Sequence, residues 1–294
     1  MSSDLITVTG ASSQIGLYLL PQLLNEGFNV AAVGRNASFA RMLPKKVQWH
    51  NVDLTTNLQD IPAGDCLVHL APIWILPGFV SLLAERGLTR LVAFSSTSAL
   101  SKRDSVDFKE RELASRLQAA EDEVILQCDR YGINWTLFRP TMIYGTGRDA
   151  NVTAIARFVQ RYGFFPLAGQ ARGLRQPVHA EDLAQAVRAV LCHPAAYSKT
   201  YVLSGGEVLS YQSMVRKIFA ALHKTPRLIS LPTSMVRLAI TMANYFPRYK
   251  YLTPAMADRM NQDLVFSHEQ ARLDFDFHPR PFEFENPFKE TGGL

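Results

Sequence analysis

The N-terminal part of the chain alternates between short apolar runs and longer segments with helical periodicity. The apolar runs are rich in β-branched residues and predict buried strands at Leu5–Thr9, Asn29–Val33, Val47–Val52, Cys66–Leu70 and Leu91–Ser95. Between the first two runs, leucines recur at helical spacing and predict a helix over residues 15–26. Buried strands that alternate with helices favour parallel pairing through right-handed crossovers. The pattern therefore predicts a doubly wound parallel α/β sheet.

The second half of the chain has a looser pattern. A long helix is predicted over residues 107–130, and Trp135–Arg139 is predicted to be a sixth strand. Helices follow near residues 152–162, 182–192, 211–222 and 233–245, joined by loops rich in Gly and Pro. We therefore expect a core domain over residues 1–150. Residues 151–294 are expected to form mainly a small C-terminal α/β domain that binds substrate, with some segments returning to the core.

A glycine-bearing turn, Gly10-Ala-Ser-Ser-Gln-Ile-Gly16, joins the first strand to the first helix. In this order the backbone N–H groups and the positive end of the helix form a site for a pyrophosphate. Gly10 is expected to make the tight turn, and Gly16 to allow close packing of helix on strand. The motif predicts a Rossmann-type dinucleotide-binding unit, the alternative being a βα turn without a ligand.

Five motifs together resemble one enzyme family. They are Thr9–Gly16, Val52–Leu54, His69–Pro72, Phe94–Thr97 and Arg139–Gly145, in this order. Over residues 5–222 the chain resembles the extended short-chain dehydrogenases/reductases, the family of NAD-dependent epimerases and dehydratases. The resemblance implies a dinucleotide over the glycine turn, with adenine near Asp53 and nicotinamide between Thr97 and residues 140–143.

The resemblance implies a set of cofactor-binding residues spread along these motifs. The set is Gly10, Ser12, Ser13, Gln14, Ile15, Gly16, Arg35, Asp53, Leu54, Leu70, Ala71, Pro72, Thr97, Pro140, Thr141 and Ile143. Ser13 departs from the family, which usually has a middle glycine there. Its Cβ crowds the pyrophosphate, whereas its hydroxyl is able to donate to a phosphate oxygen.

The end of the second strand predicts which dinucleotide binds. The chain has Gly34-Arg35-Asn36 there, without the carboxylate that would hold both ribose hydroxyls of NAD. A guanidinium suits the 2′-phosphate of NADP through charge-assisted, fork-shaped bonding. We therefore expect NADP in preference to NAD. The alternative is that Arg35 is a solvated surface residue.

The acid/base pair of the family is missing. The resemblance implies a Tyr-x-x-x-Lys pair on the long helix, assisted by a Ser or Thr that Thr97 matches. None of the ten tyrosines has a lysine four residues later. Aligned on the Ala-Glu at the end of the helical motif, the pair falls at Leu113 and Leu117, whereas a one-residue shift gives Glu112 and Arg116. Ordinary epimerase or reductase chemistry is therefore in doubt.

The residues and the resemblance together leave three functions open. The first is an oxidoreductase or epimerase that acts on a nucleotide sugar or small carbonyl compound through another acid/base. Besides Thr97, its candidates are Tyr144, His179, Lys102 and Glu112. The second is a catalytically silent sensor or scaffold that binds NADP. The third is an assembly partner in a larger complex.

Arginines and aromatic residues cluster in the predicted substrate half. Arg172 and Arg175 follow the segment Gly163–Gly169, and with His179 they are candidate ligands of a sugar nucleotide. The alternative is that the phenylalanines of this segment are core residues and the arginines are rim charges. His179, which the family places where its two domains join, also has a structural interpretation.

Composition narrows the function classes. The chain has 294 residues with 47% hydrophobic and 19% charged residues, an ordinary globular balance. The net charge of +5 with scattered Lys and Arg gives no case for nucleic acid. Three widely spaced cysteines predict buried thiols and neither disulfides nor a metal site.

No signal peptide or transmembrane run is recognised, so we expect a cytoplasmic protein. The resemblance also allows a homodimer formed through helices that flank the sheet. The segment 233–246 is apolar on several sides. Burial in the second domain is the expectation for it, with a partner or a membrane surface as the alternative.

Overall fold

The computed structural model of the chain describes residues 5–243, 245 and 253–288. The chain divides into two compact units. Within the described residues, the first unit comprises 5–141, 180–203 and 267–278, and the second comprises 142–179, 204–243, 245, 253–266 and 279–288. Each unit therefore contains segments that are far apart in sequence.

The strands and helices follow one another along the whole chain. In chain order the strands are β1 (Leu5–Thr9), β2 (Asn29–Gly34), β3 (Gln48–Asn51), β4 (Cys66–His69), β5 (Arg90–Phe94), β6 (Asn134–Pro140), β7 (Ile143–Tyr144), β8 (Phe165–Ala168), β9 (Leu174–Arg175), β10 (Val178–His179), β11 (Lys199–Leu203), β12 (Leu209–Ser210) and β13 (Leu228–Leu231). The helices are α1 (Gln14–Asn25), α2 (Val80–Glu85), α3 (Ser98–Ser101), α4 (Phe108–Tyr131), α5 (Val152–Tyr162), α6 (Ala180–Leu191), α7 (Tyr211–Ala221), α8 (Thr233–Ala243), α9 (Ala255–Arg259) and α10 (Glu269–Phe275). Short 3-10 turns lie at Ala37–Met42, Leu58–Asp60, Ile73–Gly78 and Pro194–Ala196.

A seven-stranded sheet forms the centre of the first unit. Its strand order is β11-β6-β5-β4-β1-β2-β3, and all neighbouring strands are parallel. The chain runs outward from β1 to β3 and then returns to β4 on the other side of β1. Open α/β sheets bind ligands at the carboxyl ends of the strands where the order reverses in this way. The predicted doubly wound Rossmann-type fold is confirmed.

The two helices that border this reversal point are defined by local sequence. Helix α1 buries Ile15, Leu19, Leu20 and Leu23, which recur at the spacing of one helical face. Helix α4 buries residues of the predicted stripe, namely Leu117, Ala120, Val124 and Cys128, while Leu113 is half-buried. Its first turn is capped by Asp107, whose carboxylate accepts the Lys109 N–H at 2.8 Å, and it ends at Gly132 with φ +68°.

The outer strand β11 is a feature that the sequence pattern did not predict. It pairs with β6 from Lys199 opposite Thr136 to Leu203 opposite Pro140. Helix α10 is tied to it, because Asp274 accepts hydrogen bonds from Lys199 at 2.7 Å and from Tyr201 at 2.6 Å. These contacts join residues 267–278 to the first unit.

The second unit is built from small strand pairs and helices. Strands β7 and β10 are parallel, as are β8 and β13, whereas β9 and β12 are antiparallel. Its main core is formed by side chains of α5, α7 and the chain near residue 282: Val152, Ile155, Val159, Met214, Val215, Ile218, Phe219 and Phe282.

Two expectations about buried side chains are wrong. Cys192, expected to be a buried thiol, is exposed, whereas Cys128 is buried and Cys66 half-buried. In α8 only Val236 is buried, so the apolar segment is not enclosed by the second unit over its described length. Phe246, at the end of that segment, lies outside the described residues. No helix within the described parts of the chain is long and apolar enough to cross a bilayer.

Candidate functional site

The turn between β1 and α1 brings two segments of backbone into close contact. Gly10 has a φ of +67°, and a Cβ built on it would lie 2.5 Å from the Ala71 nitrogen. A Cβ on Gly16 would lie 2.1 Å from the carbonyl oxygen of Ala11. Both distances are far below ordinary contact, so the fold of this turn requires glycine at both positions. The turn therefore holds the backbone of Gly10 against the residues that follow β4.

Ser13 occupies the position at which the family usually has a glycine, and it caps α1. Its side-chain oxygen accepts the Gly16 N–H at 3.2 Å, and its own N–H donates to the Gly10 carbonyl at 2.9 Å. The serine thus supplies the acceptor that a helix N-terminus needs. Next to it, the buried Oε1 atom of Gln14 has no hydrogen-bond partner among the described residues. The start of α1 therefore has an acceptor available for a hydroxyl.

The carboxyl end of β2 carries Arg35, whose side chain is exposed. The ring of Trp49, on β3, lies across Gly34, where a Cβ would be 2.8 Å from the indole Cη2 atom and 3.8 Å from Ser12 Oγ. The hydroxyl and N–H of Thr55 lower the pKa of Asp53, and the charge of Arg35 lowers it further. The structure thus brings Ser12, Arg35 and Asp53 to the same end of the sheet.

A buried histidine supports the end of β4 beside the glycine turn. His69 Nδ1 lies 2.8 Å from the Thr9 hydroxyl, and its Nε2 lies 3.3 Å from the Pro72 carbonyl oxygen. Since a carbonyl only accepts, Nε2 carries the hydrogen and Nδ1 accepts from Thr9. Burial lowers the pKa of His69 to about 4, against a smaller raising effect of its bond to Pro72. The ring is therefore neutral, and its bond to the Pro72 carbonyl fixes the turn formed by Leu70, Ala71 and Pro72.

Thr97 and Pro140 meet at the ends of β5 and β6. Both the N–H and the hydroxyl of Thr97 donate to the Pro140 carbonyl, each at 3.1 Å. The next residue, Thr141, donates its N–H to Leu203 on β11. Thr97 and Pro140 are therefore in direct contact, and the Thr97 hydroxyl is engaged with a backbone oxygen.

A buried ion pair fixes the position of α4 on the sheet. Glu121, which is 1% exposed, accepts hydrogen bonds from Ser95 and from Arg139, whose Nε lies 3.1 Å from each carboxylate oxygen. Ser95 follows β5, and Arg139 lies on β6. Glu121 is the glutamate of the Ala-Glu pair in the helical motif, and the burial of its carboxylate was not predicted from the sequence.

This ion pair shows which side of α4 faces the sheet. With Glu121 facing the sheet, Leu117 lies one helical turn earlier and is buried, and Leu113 is half-buried one turn before that. Glu112 and Arg116 lie on the exposed side, where Arg116 stacks on Trp74 at 4.3 Å from the ring centroid. The inward face of α4 thus presents Leu113 and Leu117, the pair that the alignment on Ala-Glu indicated.

Tyr144 and His179 lie together in the second unit. They are register partners on β7 and β10, with ring centroids 5.1 Å apart. Tyr144 is fully buried against Phe282, and its hydroxyl accepts the Glu283 N–H at 3.3 Å. Ile143, the preceding residue, is half-buried. These contacts give Tyr144 and His179 the surroundings of core residues.

The two candidate substrate arginines differ in their surroundings. Arg172 is exposed, whereas Arg175 is buried. The Arg175 guanidinium donates to the carbonyl oxygens of Leu174 and Gln262, both at 2.7 Å, and to that of Arg259. Burial of the Arg175 guanidinium lowers its pKa. Arg175 is therefore bonded to its own unit, and Arg172 is the one that faces solvent.

Two acid/base candidates remain, Lys102 and Glu112. Lys102 follows α3, and its ammonium lies 3.9 Å from the carboxylate of Glu110. Glu112 is exposed on α4. In the parts of the chain that the structure describes, no group of three or more His, Cys, Asp or Glu side chains is arranged to hold a metal ion.

Comparison with known proteins identifies a matching family and a similar relative. The profile of the NAD dependent epimerase/dehydratase family matches residues 6–73 and 79–204. The chain is 31% identical over 263 residues to "NADH dehydrogenase [ubiquinone] 1 alpha subcomplex subunit 9, mitochondrial" of Arabidopsis thaliana. That alignment covers 79% of this chain and 61% of the relative, so the chain spans less than two thirds of the relative's length.

Solved structures of similar fold include two nucleotide-sugar proteins. UDP-glucose 4-epimerase of Thermotoga maritima, solved with UDP-glucose, superposes with a TM-score of 0.69 at 15% identity, over 94% of this chain and 93% of that one. MoeE5, solved with UDP-glucuronic acid and NAD, superposes with a TM-score of 0.70 at 19% identity, over 94% of each chain. At these low sequence identities the superpositions show a shared fold only.

Proposed function

The chain belongs to the NAD-dependent epimerase/dehydratase family, and from this premise we propose that it holds NADP without the family's ordinary acid/base catalysis. One observation carries the proposal. The inward face of α4, with its position fixed by the pair of Glu121 and Arg139, presents Leu113 and Leu117 in place of Tyr and Lys. Aliphatic side chains fill space beside a cofactor but do not move a proton.

The residues of the first unit fit a dinucleotide. Gly10 and Gly16 remove the side chains that would block the turn, and the N-terminus of α1 offers N–H groups to a pyrophosphate. The partnerless Gln14 Oε1 is placed to accept from a hydroxyl, and Arg35 adds positive charge at the end of β2. When bound, the nicotinamide of such a cofactor exchanges hydride with a substrate carbon.

Three of the alternative acid/base candidates have surroundings that do not favour proton transfer. The hydroxyl of Thr97 is bonded to the Pro140 carbonyl, and Tyr144 is enclosed by the core of the second unit. Glu112 faces solvent. A general acid or base must reach the proton that it transfers. Thr97 and Tyr144 are held in other contacts, and Glu112 lies on the exposed side of α4, away from the sheet. The contacts therefore support a silent cofactor-binding protein more than an enzyme.

The name of the Arabidopsis relative supports a role for this silent protein as part of an assembly. That relative, at 31% identity, is named as a subunit of NADH dehydrogenase. We accordingly favour a protein in which bound NADP stabilises the fold or reports on the cofactor pool while the chain serves a larger complex. In such a protein the ligand contributes stability by mass action and no turnover is required.

A second candidate is an enzyme that acts on a nucleotide sugar. The observation in its favour is that the solved neighbours carry UDP-glucose or UDP-glucuronic acid, and that Arg172 in the second unit is exposed and able to meet a diphosphate.

The test of the proposal combines binding with turnover. We expect purified protein to bind NADPH, followed by its fluorescence, and to bind NADP⁺, followed by a rise in Tm. We expect no change in nicotinamide absorbance with UDP-sugars or small carbonyl compounds, under conditions in which a UDP-glucose 4-epimerase converts its substrate. If the protein binds NADPH and also turns over a substrate, it is an enzyme and the proposal of a silent protein is wrong. If it binds neither NADPH nor NADP⁺, the proposal is overturned altogether.

Arg35 is expected to set the cofactor preference. Replacing Arg35 by Ala removes the guanidinium that meets the 2′-phosphate, so the Kd for NADP⁺ should rise about 10- to 100-fold, since charge-assisted hydrogen bonds contribute about 1.5–3 kcal/mol. The Kd for NAD⁺ should change less than about threefold, since NAD lacks that phosphate. Isothermal titration with each dinucleotide measures both values.

The matched control is Arg130→Ala, which removes an exposed guanidinium from the last turn of α4, far along the chain from β2. This variant should bind both dinucleotides as the wild-type protein does. If Arg35→Ala weakens NAD⁺ and NADP⁺ equally, Arg35 does not recognise the phosphate and the preference for NADP is wrong.

A further inference from the structure

The side chain of Trp49 reaches from β3 to the carboxyl end of β2. Trp49 lies opposite Ala32 in the register of the two strands, and Gly34 lies opposite Asn51. A Cβ built on Gly34 would nevertheless lie 2.8 Å from the indole Cη2 atom and 3.1 Å from Cζ2. The ring is therefore inclined towards the edge of the sheet at which its strands end, which is where open α/β sheets bind ligands.

This indole ring is held between the end of β2 and the 3-10 turn that follows it. Its centroid lies 5.7 Å from that of the buried Phe39. Gly34 leaves room for the ring, because a Cβ at 2.8 Å from an aromatic carbon is far below ordinary contact. The N–H of Ala11 donates to the Val33 carbonyl at 3.2 Å, so the glycine turn is tied to the same strand end. Ser12, the next residue, consequently lies beside the ring, with its Oγ 3.8 Å from a Cβ built on Gly34.

Three hydrogen-bond donors at this strand end have no acceptor among the residues that the structure describes. They are the buried indole N–H of Trp49, the half-buried hydroxyl of Ser12 and the exposed guanidinium of Arg35. Burying an N–H group without an acceptor costs free energy, so folded proteins rarely leave one unpaired. The arrangement therefore calls for an acceptor that the described chain does not supply.

The donor set favours a phosphate over a ribose hydroxyl. A ribose hydroxyl at the end of the second strand donates to a carboxylate, and the segment Gly34-Arg35-Asn36 contains none. Asp53, two residues beyond β3, is engaged with Thr55, whose N–H and hydroxyl donate to its Oδ1 at 2.9 and 2.7 Å. A guanidinium, a hydroxyl and an indole N–H instead match the oxygens of a phosphate, which are strong acceptors.

We propose that Trp49 is a specificity residue for the phosphorylated dinucleotide. Its ring forms the floor of the pocket that takes the 2′-phosphate of NADP, and its N–H donates to one oxygen of that phosphate beside the hydroxyl of Ser12. Arg35, which is exposed, meets the remaining oxygens. This inference rests on the proposed function, because it needs NADP over the glycine turn. It adds a contact from β3, a strand from which the resemblance implied no cofactor-binding residue.

Isothermal titration of Trp49→Phe with each dinucleotide tests the donation. Phenylalanine keeps an aromatic ring against Gly34 and removes the N–H. The Kd for NADP⁺ should therefore rise about tenfold, the effect of losing one hydrogen bond to a charged group. The Kd for NAD⁺ should change less than about twofold, because NAD⁺ lacks the 2′-phosphate. The Tm of the variant, measured without ligand, shows whether the protein is folded.

A matched control and a second measurement separate the phosphate contact from folding. Trp135→Phe removes another indole N–H of the first unit, one that donates to Asp129 at 3.1 Å, and should leave both Kd values unchanged. In a protein with Trp74→Phe and Trp135→Phe, Trp49 is the one tryptophan left of three. Saturating adenosine 2′,5′-bisphosphate, which carries the phosphate, should change the emission of Trp49. Adenosine 5′-phosphate, which lacks it, should leave that emission nearly unchanged.

Three results would overturn this inference while the wild-type protein still binds NADP⁺ and the proposed function stands. The first is an unchanged Kd for NADP⁺ in a folded Trp49→Phe protein. The second is an equal rise of the Kd for NADP⁺ and NAD⁺, which would mean that Trp49 supports the strand end and does not meet the phosphate. The third is a Trp49 emission that adenosine 2′,5′-bisphosphate does not change, and this result decides the question if Trp49→Phe does not fold. If the wild-type protein binds neither dinucleotide, the proposed function fails, and this inference fails with it.

Discussion

Replacing Glu121 by Ala is expected to destabilise the first unit by about 3–5 kcal/mol, the cost of leaving one member of a buried ion pair without its partner. The variant leaves the Arg139 guanidinium facing an emptied site and removes the acceptor of the Ser95 hydroxyl. The side chain of Arg139 is only 19% exposed, so water replaces the lost carboxylate poorly. Denaturant unfolding of the variant and the wild-type protein measures the difference.

The matched control is Glu112→Ala on the same helix. Glu112 is exposed, and its replacement should change the free energy of unfolding by less than about 0.5 kcal/mol. Glu121→Leu combined with Arg139→Met should cost less than Glu121→Ala alone, because no charge is left unpaired. If Glu121→Ala is as stable as Glu112→Ala, the ion pair does not fix α4, and the placement of Leu113 and Leu117 at the acid/base positions loses its support.

The order of the main strands was predictable because each one is a separate apolar run. The run Leu5–Thr9 coincides with β1, and the other predicted strands differ from β2 to β6 by one or two residues at their ends. Strand β11 was missed because Lys199 and Thr200 interrupt its apolar character, and because its pairing with β6 joins residues some sixty positions apart in sequence. Local patterns carry no information about such a partner.

The candidate site was predictable in its motifs and less so in its contacts. The glycine turn, Arg35 and the absence of Tyr-x-x-x-Lys all follow from sequence alone. Sequence left two alignments of α4 open, because helical spacing is the same for Leu113 with Leu117 and for Glu112 with Arg116. The buried contact of Glu121 with Arg139 shows that Leu113 and Leu117 lie on the inward face of α4, and this contact joins residues 18 positions apart in sequence, which a local pattern does not reveal.

The apolar face of α8 shows a different limit of sequence interpretation. An apolar helix of a globular protein is most often buried, and periodicity does not tell whether another element covers it.

Acidification is expected to weaken the first unit through His69. The pKa of His69 is lowered to about 4 in the fold, whereas an unfolded histidine has a pKa near 6.5. Between these values the unfolded state binds the extra proton, so stability is fully present above about pH 6.5 and falls as the pH drops towards about 4. A shift of this size corresponds to a loss of about 3 kcal/mol at most. Chemical unfolding at a series of pH values measures it.

The contribution of His69 is separated from that of the carboxylates by a variant. His69→Asn keeps an acceptor for Thr9 but removes the titrating ring, so wild-type protein and variant should differ most near pH 7 and approach each other near pH 4.5. His223→Asn is the control, since His223 is exposed with a φ of +54° that Asn tolerates, and it should leave the profile unchanged. Because His69 holds the backbone that meets Gly10 and stays neutral in the folded protein until about pH 4, NADPH affinity should fall only as the pH approaches that value. A constant difference between wild-type protein and His69→Asn at every pH would mean that this ring does not titrate on unfolding.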